Sequence, residues 1–135
     1  MKRLLSRLNT RVLVILVLAG LSLTLTIIRP IMAEPAVRLI TSYRYIMVYG
    51  SGDLAVGDVI EFFDPEGTLC GRCLVEEAGG YGMVAVYGDD PQTTEIDEGA
   101  EEGDYLTIRV NGKEVYPVGG PPVWEKEGET QRIDL

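Results

Sequence analysis

The chain has 135 residues and a formal net charge of −9, with 12 Lys or Arg, 21 Asp or Glu and no His. Five of the basic residues and none of the acidic ones lie in positions 1–33, so residues 34–135 carry 7 basic and 21 acidic side chains, a net charge of −14. So acidic a surface repels phosphate backbones, which excludes nucleic acid as a partner. The lack of His in the sequence removes the commonest general base and every Ser-His or Cys-His pair, so the sequence predicts a protein that is not an enzyme and has no catalytic residues.

The first 33 residues have the layout of an export segment, with one hydrophobic helix. Four basic residues precede an apolar run from Val12 to Ile28, and the small residue Ala33 follows it. One interpretation is a signal peptide that is cleaved after Ala33. The other is an uncleaved N-terminal membrane anchor, because 17 residues reach the lower limit of about 17 to 25 for a membrane-spanning helix. Both interpretations place residues 34–135 outside the cytoplasm, either secreted or membrane-anchored.

From Val37 onward, stretches rich in Val, Ile, Tyr and Thr alternate with Gly, Pro and Asp clusters about every eight to twelve residues. This spacing predicts an all-β domain, a single antiparallel β-sandwich of about seven strands. The predicted strands are residues 37–49, 56–63, 68–76, 81–87, 104–111, 113–117 and 123–134. Asn111-Gly112 predicts a two-residue type I′ hairpin, and the sequence from Asp64 to Gly67 predicts another tight turn.

Aromatic residues are candidates for binding, and each has a simpler structural explanation. Tyr43, Tyr45 and Tyr49 share one face if the first predicted strand is regular, since side chains alternate along a strand. A core or rim position explains them most simply, and a ligand platform is the alternative. Trp124 offers a stacking surface for polysaccharide, although a lone Trp is more commonly part of a core.

Residues 55–90 carry three motifs at the ends of predicted strands, namely Val56-Gly57, Asp64-x-x-Gly67 and Gly80-Tyr81-Gly82. With these motifs the segment resembles the carboxypeptidase regulatory-like and collagen-adhesin B-type modules, which share a transthyretin-like or immunoglobulin-like β-sandwich. The pattern that begins at Tyr87 also resembles a module of secreted and surface proteins of bacteria and archaea. The resemblance implies a β-sandwich domain at the cell surface.

Cys70 and Cys73 have the spacing of a redox pair, and disulfides persist outside the cytoplasm. In a regular strand their Cα atoms are separated by about 10 Å, beyond the limit of about 7 Å for a disulfide. A bulge or bend at Gly71 brings such a pair together. The sequence therefore leaves two alternatives, an internal disulfide and two small, partly buried thiols.

The segment from Asp89 to Asp104 places eight acidic residues in 16 positions and contains no basic residue. Calcium takes six to eight oxygen ligands, which Asp89, Asp90, Glu95, Asp97 and Glu98 could supply together with nearby carbonyl groups. The acidic order of an EF-hand is missing from the sequence, and acidic segments are expected in an acidic chain. A solvated connection between two strands and a calcium site are both open interpretations; no other cofactor is predicted.

These observations favour a non-enzymatic extracytoplasmic module with a structural role or a role in protein or glycan interaction at the cell surface. The expected partners are other surface or membrane proteins or a polysaccharide. A small accessory subunit of a membrane complex, held by its uncleaved helix, is the alternative. A calcium-stabilised adhesion module is the third interpretation.

Overall fold

A computed structural model describes residues 37–135, and the predicted export segment lies outside the described residues. Residues Val37–Leu135 form one compact unit. All of the helix and strand structure assigned within this range is β-strand, which confirms the predicted all-β class. None of residues 37–135 belongs to a helix long and apolar enough to cross a membrane.

The described part of the chain has nine strands where the spacing predicts about seven. They are β1 (Tyr45–Ser51), β2 (Val59–Phe63), β3 (Leu69–Leu74), β4 (Gly80–Tyr87), β5 (Asp104–Tyr105), β6 (Thr107–Val110), β7 (Lys113–Val115), β8 (Val123–Trp124) and β9 (Thr130–Arg132).

Two long predicted strands are each divided into two. The segment 104–111 becomes β5 and β6, because β5 pairs with β8 whereas β6 pairs with β2. The segment 123–134 becomes β8 and β9, because a turn intervenes in which the Glu129 amide donates to the Lys126 carbonyl. Gly128 adopts a φ of 83° in this turn, a conformation that glycine accepts without strain.

The strands form a three-stranded sheet in the order β4-β1-β9, a four-stranded sheet in the order β3-β2-β6-β7, and the short pair β5-β8. The prediction of purely antiparallel sheets is wrong at β9, which runs parallel to β1. The preceding turn causes this direction, because Gly128 donates to Tyr45 and Met47 donates to Glu129, which returns the chain to the start of β1.

Both predicted hairpins are confirmed. Asn111 and Gly112 have φ values of 51° and 77°, as a type I′ turn requires, and they join β6 to β7. The Gly67 amide donates to the Asp64 carbonyl over 3.2 Å in the turn between β2 and β3.

A single hydrophobic core takes side chains from both larger sheets, among them Ile46, Val48 and Val86 from one and Ile60 and Phe62 from the other. Trp124 is 0 % exposed, and its indole Nε1 donates to the Val86 carbonyl over 3.0 Å. It is therefore a core residue and offers no stacking surface. The Tyr81 ring also lies in the core, and its hydroxyl donates to the Ile133 carbonyl over 2.7 Å.

Candidate functional site

The outer side of the sheet β4-β1-β9 carries an exposed aromatic surface. Along β1, Ile46 and Val48 point into the core, so the alternating residues of the strand point outward. In the antiparallel register β4 places Tyr87 beside Tyr45 and Ala85 beside Met47. We call this surface the tyrosine face and define it by six residues, Tyr45, Met47, Tyr49, Met83, Ala85 and Tyr87.

A β-bulge completes the tyrosine face. The pairing of β1 with β4 shifts between Val48 and Gly50, so that Gly82 and Met83 both lie opposite Tyr49. Bulges bend a strand and redirect a side chain, and Met83 is 56 % exposed at this point. The bulge thus adds a large flexible apolar side chain next to Tyr49.

None of the six residues of the tyrosine face is charged; three of them are exposed and the other three are half-buried. Tyr45 is 41 % exposed and Tyr49 is 40 % exposed. The rings of Tyr45 and Tyr87 pack edge to face with centroids 6.2 Å apart at 68°, a geometry that holds both rings in place. On the β9 side the face meets Thr130 and Arg132, and the charge of Arg132 is paired with Asp134 at 3.0 Å.

The structure places two of the three predicted tyrosines together. Tyr45 and Tyr49 lie in β1 on one face, as predicted. Tyr43 is exposed, but β1 begins only at Tyr45, so the sheet does not hold Tyr43. Residues 37–44, the first part of the predicted strand 37–49, belong to no strand. The Ser42 hydroxyl donates to the Gly88 carbonyl over 2.5 Å.

The outer side of the sheet β3-β2-β6-β7 is very different, because it carries charges of alternating sign. Arg72, Glu61, Arg109 and Glu114 lie side by side across the four strands. Arg72 Nη2 and Glu61 Oε1 are 2.6 Å apart, and the Arg109 guanidinium lies over the Phe63 ring at 4.5 Å. This is an ordinary solvated sheet face.

An open groove of about 810 Å³ lies where β3 and β4 leave their connecting turn. Leu74 and Met83 are its exposed apolar residues, and Glu76 and Glu77 bring negative charge. Met83 therefore borders both this groove and the tyrosine face.

We call residues 89–104 the acidic connection. A second cavity, of about 390 Å³, lies between the β2–β3 turn and the acidic connection. Seven of the residues that line it are carboxylates, namely Asp64, Glu66, Asp89, Glu95, Asp97, Glu101 and Asp104. Asp64 is buried, yet its Oδ1 is already used as the acceptor for the Thr68 amide at 2.7 Å. The hydroxyl of Thr68 donates to Asp97 and links the two loops.

The structure divides the five predicted calcium ligands into two groups. Asp89, Glu95 and Asp97 line the acidic cavity. Glu98 is buried and accepts hydrogen bonds from the Thr93 hydroxyl at 2.6 Å and from the Asp90 amide at 3.3 Å. The Asp90 carboxylate accepts from the Gln92 amide at 2.8 Å.

Hydrogen bonds within the acidic connection thus occupy part of the predicted ligand set. Within residues 37–135, no three His, Cys, Asp or Glu side chains converge on one point that could hold a metal ion. Calcium binding stays a prediction.

Within the acidic connection, the surroundings disfavour the charged form of Asp89 and favour the charged form of Glu98. Burial raises the pKa of Asp89, and the nearby carboxylates of Glu98 and Asp97 raise it further. The hydrogen bond from Thr93 lowers the pKa of Glu98.

Cys70 and Cys73 both lie in β3 and are free thiols in the structure. Cys70 is the extra residue of a bulge, because Phe62 pairs with Gly71 and Phe63 with Leu69. Its thiol is buried and donates to the Thr68 carbonyl over 3.3 Å. Burial raises the pKa of Cys70 to about 12 and that of Cys73 to about 11, so neither is an activated nucleophile. The disulfide stays a prediction, and alkylation with and without reductant tests it.

Comparison with protein-family models, with curated proteins and with solved structures finds no match for this chain. Sequence reasoning identified Tyr45 and Tyr49 as a shared face but did not join Met47, Met83, Ala85 and Tyr87 to it. The odd-numbered alternation of β4 was visible in the sequence, but the register that brings β4 beside β1 was not.

Proposed function

We propose that the chain is a non-enzymatic, extracytoplasmic interaction module, and that the tyrosine face is its contact surface. The proposal includes the finer fold, in which the two larger sheets form a β-sandwich of the carboxypeptidase regulatory-like or collagen-adhesin B-type class. The burial of one side of each sheet in a common core supports it, and the export segment of the sequence supports the location.

One observation carries this proposal: an uncharged surface of tyrosines and methionines lies exposed on a domain whose net charge is −14. Contiguous exposed apolar surface marks binding sites in soluble proteins. The centres of protein interfaces are rich in Tyr and Met and poor in Asp and Glu, which is the composition of this face. A solvated face would resemble the charged row on the other sheet.

A photo-crosslinking experiment in the cell envelope tests the contact surface. A benzophenone side chain at position 49 should give a discrete crosslinked product, and the same group at position 116 should not. Tyr116 is 83 % exposed and lies outside the tyrosine face, so it is a matched control. Equal or absent crosslinking at the two positions contradicts the proposal.

The apolar run from Val12 to Ile28 supports a second form of the function, an accessory subunit held in a membrane complex. The intact mass of the protein purified from membranes decides between the two forms. A mass that lacks residues 1–33 defeats the anchored form, and a full-length mass supports it. The tyrosine face is a contact surface in both forms.

A further inference from the structure

We infer that the tyrosine face binds an uncharged polysaccharide, with Tyr45 and Tyr49 as stacking platforms. This inference rests on the proposed function and specifies the ligand of the same surface. It depends on the rings, on the charge of the face and on the rigidity of the sheet beneath it.

The rings have the chemistry that a sugar requires. A pyranose ring presents C–H groups on its faces and hydroxyl groups around its edge, so it stacks on an aromatic ring and hydrogen-bonds to a phenolic hydroxyl. Tyr45 and Tyr49 are four residues apart in one strand, which separates their Cα atoms by about 13 Å. That distance suits an elongated ligand with more than one sugar ring.

The face is held in place before any ligand arrives. Ile46 and Val48, the residues that alternate with the tyrosines, are fully buried. The edge-to-face contact of Tyr87 with Tyr45 fixes the orientation of both rings at one end. A ligand that stacks here therefore orders few side chains, which reduces the entropic cost of binding.

The charge distribution selects an uncharged ligand. None of the six residues of the tyrosine face is charged. The guanidinium of Arg132, which lies beside Tyr49 on β9, is paired with Asp134 at 3.0 Å, and the domain as a whole has a net charge of −14. An anionic polysaccharide is repelled by this field, and so is a second copy of the same chain. A cationic ligand is attracted to the acidic connection and finds no ion-pair partner among the six residues.

A binding experiment with the full-length chain in detergent micelles tests this inference. The probes are cellulose, chitin and mannan as uncharged polysaccharides, with alginate and polygalacturonate as anionic ones. Sedimentation with insoluble probes and affinity electrophoresis with soluble probes measure the binding. The variants are Tyr45→Ala/Tyr49→Ala, Tyr45→Phe/Tyr49→Phe and the matched control Tyr116→Ala.

We expect retention by at least one uncharged probe and by neither anionic probe. The double alanine variant should bind about tenfold more weakly or worse, because two stacking contacts are removed. The double phenylalanine variant should retain most of the affinity, since it keeps both rings, and Tyr116→Ala should bind like the wild type. Raising the salt concentration should leave this binding unchanged, because no ion pair contributes.

Three results overturn the inference: no binding to any uncharged probe by the folded chain, binding only to anionic probes, or equal binding by the wild type and the double alanine variant. Crosslinking at position 49 separates this failure from that of the proposed function. If a protein is crosslinked at position 49 and no polysaccharide binds, the tyrosine face is still a contact surface, but its ligand is a protein. If both experiments are negative, the proposed function fails as well.

Discussion

The two larger sheets share one core but present opposite outer surfaces to solvent. The sheet β3-β2-β6-β7 carries Arg72, Glu61, Arg109 and Glu114 in register across four strands. The sheet β4-β1-β9 carries tyrosines and methionines at the equivalent outward positions of β1 and β4. Strands favour aromatic residues in general, so β-propensity alone predicts no such difference between two sheets of one domain.

The difference between the two outer surfaces shows that a segment should be judged against the composition of its own domain. The acidic connection is the most conspicuous segment of the sequence, but it follows the acidic composition of the whole domain. The tyrosine face is inconspicuous in the sequence and departs from that composition. A departure from the surroundings is the stronger sign of selection for contact, because the surroundings show what solvent exposure alone favours.

The largest predicted effect tests whether the two faces rest on one cooperative core. Trp124→Ala should lower the free energy of unfolding by about 3 to 5 kcal/mol, because it leaves a cavity and frees the Val86 carbonyl. Chemical denaturation should show a single transition for probes on both sheets, with a smaller loss for Trp124→Phe. Separate transitions for the two sheets would contradict a shared core.

The calcium hypothesis predicts the next largest effect. Millimolar calcium should raise the Tm by about 4 °C or more relative to EDTA, because a ligand that binds only the folded state stabilises it. Asp89→Asn/Asp97→Asn should abolish the increase, whereas Glu114→Gln on the charged sheet should leave it intact. A Tm that is the same in calcium and in EDTA excludes calcium, and the acidic connection is then a solvated crossing between strands.

A pair of surface substitutions sharpens the comparison between the two faces. Arg72→Ala removes an exposed ion pair and should cost about 0.2 to 1 kcal/mol in stability without affecting ligand binding. Tyr49→Ser should change stability by about as little and should weaken binding strongly. Denaturation and binding measured on both variants check this, and a binding loss for Arg72→Ala equal to that for Tyr49→Ser removes the distinction.

The smallest effects concern the dependence of stability on pH, to which Asp134 in the C-terminal segment and Asp89 in the acidic connection should contribute with opposite sign. Hydrogen bonds from the Ser51 hydroxyl and amide, followed by Arg132, lower the pKa of Asp134, which holds the C-terminal segment beside β1. The stability from Asp134 is therefore present above pH about 4 and is lost as the pH falls through the lowered pKa. Asp89 has a raised pKa, so the stability that its protonated form contributes is present below pH about 4 and is lost as the pH rises through that pKa.

Denaturation between pH 6 and pH about 3 checks these signs with two variants. At pH 6, Asp134→Asn should be less stable than the wild type, and the difference should shrink in acid. Asp89→Asn should be at least as stable as the wild type at pH 6, and its advantage should vanish in acid. If both variants changed stability at pH 6 in the same direction, the opposite electrostatic effects described for Asp134 and Asp89 would be contradicted.

Local signals in the sequence predicted the all-β class and both tight turns, because Asn111-Gly112 and the sequence from Asp64 to Gly67 have specific backbone requirements. They did not predict the parallel pairing of β9 with β1, which depends on contacts between residues more than 80 positions apart in the chain. The assembly of the tyrosine face depends on the same long-range register. Half of its six residues come from β4, and the bulge that exposes Met83 has no distinct sequence motif other than Gly82.

Hydroxyl-radical footprinting in intact envelopes tests the central claim, that the tyrosine face is covered in its native setting. Tyr and Met side chains react readily with hydroxyl radicals, so Tyr45, Tyr49 and Met83 each report their own exposure. We predict that these residues are oxidised much more slowly in envelopes than in the purified chain, while Tyr116 reacts at the same rate in both. Equal oxidation of the tyrosine face in both samples would contradict the account.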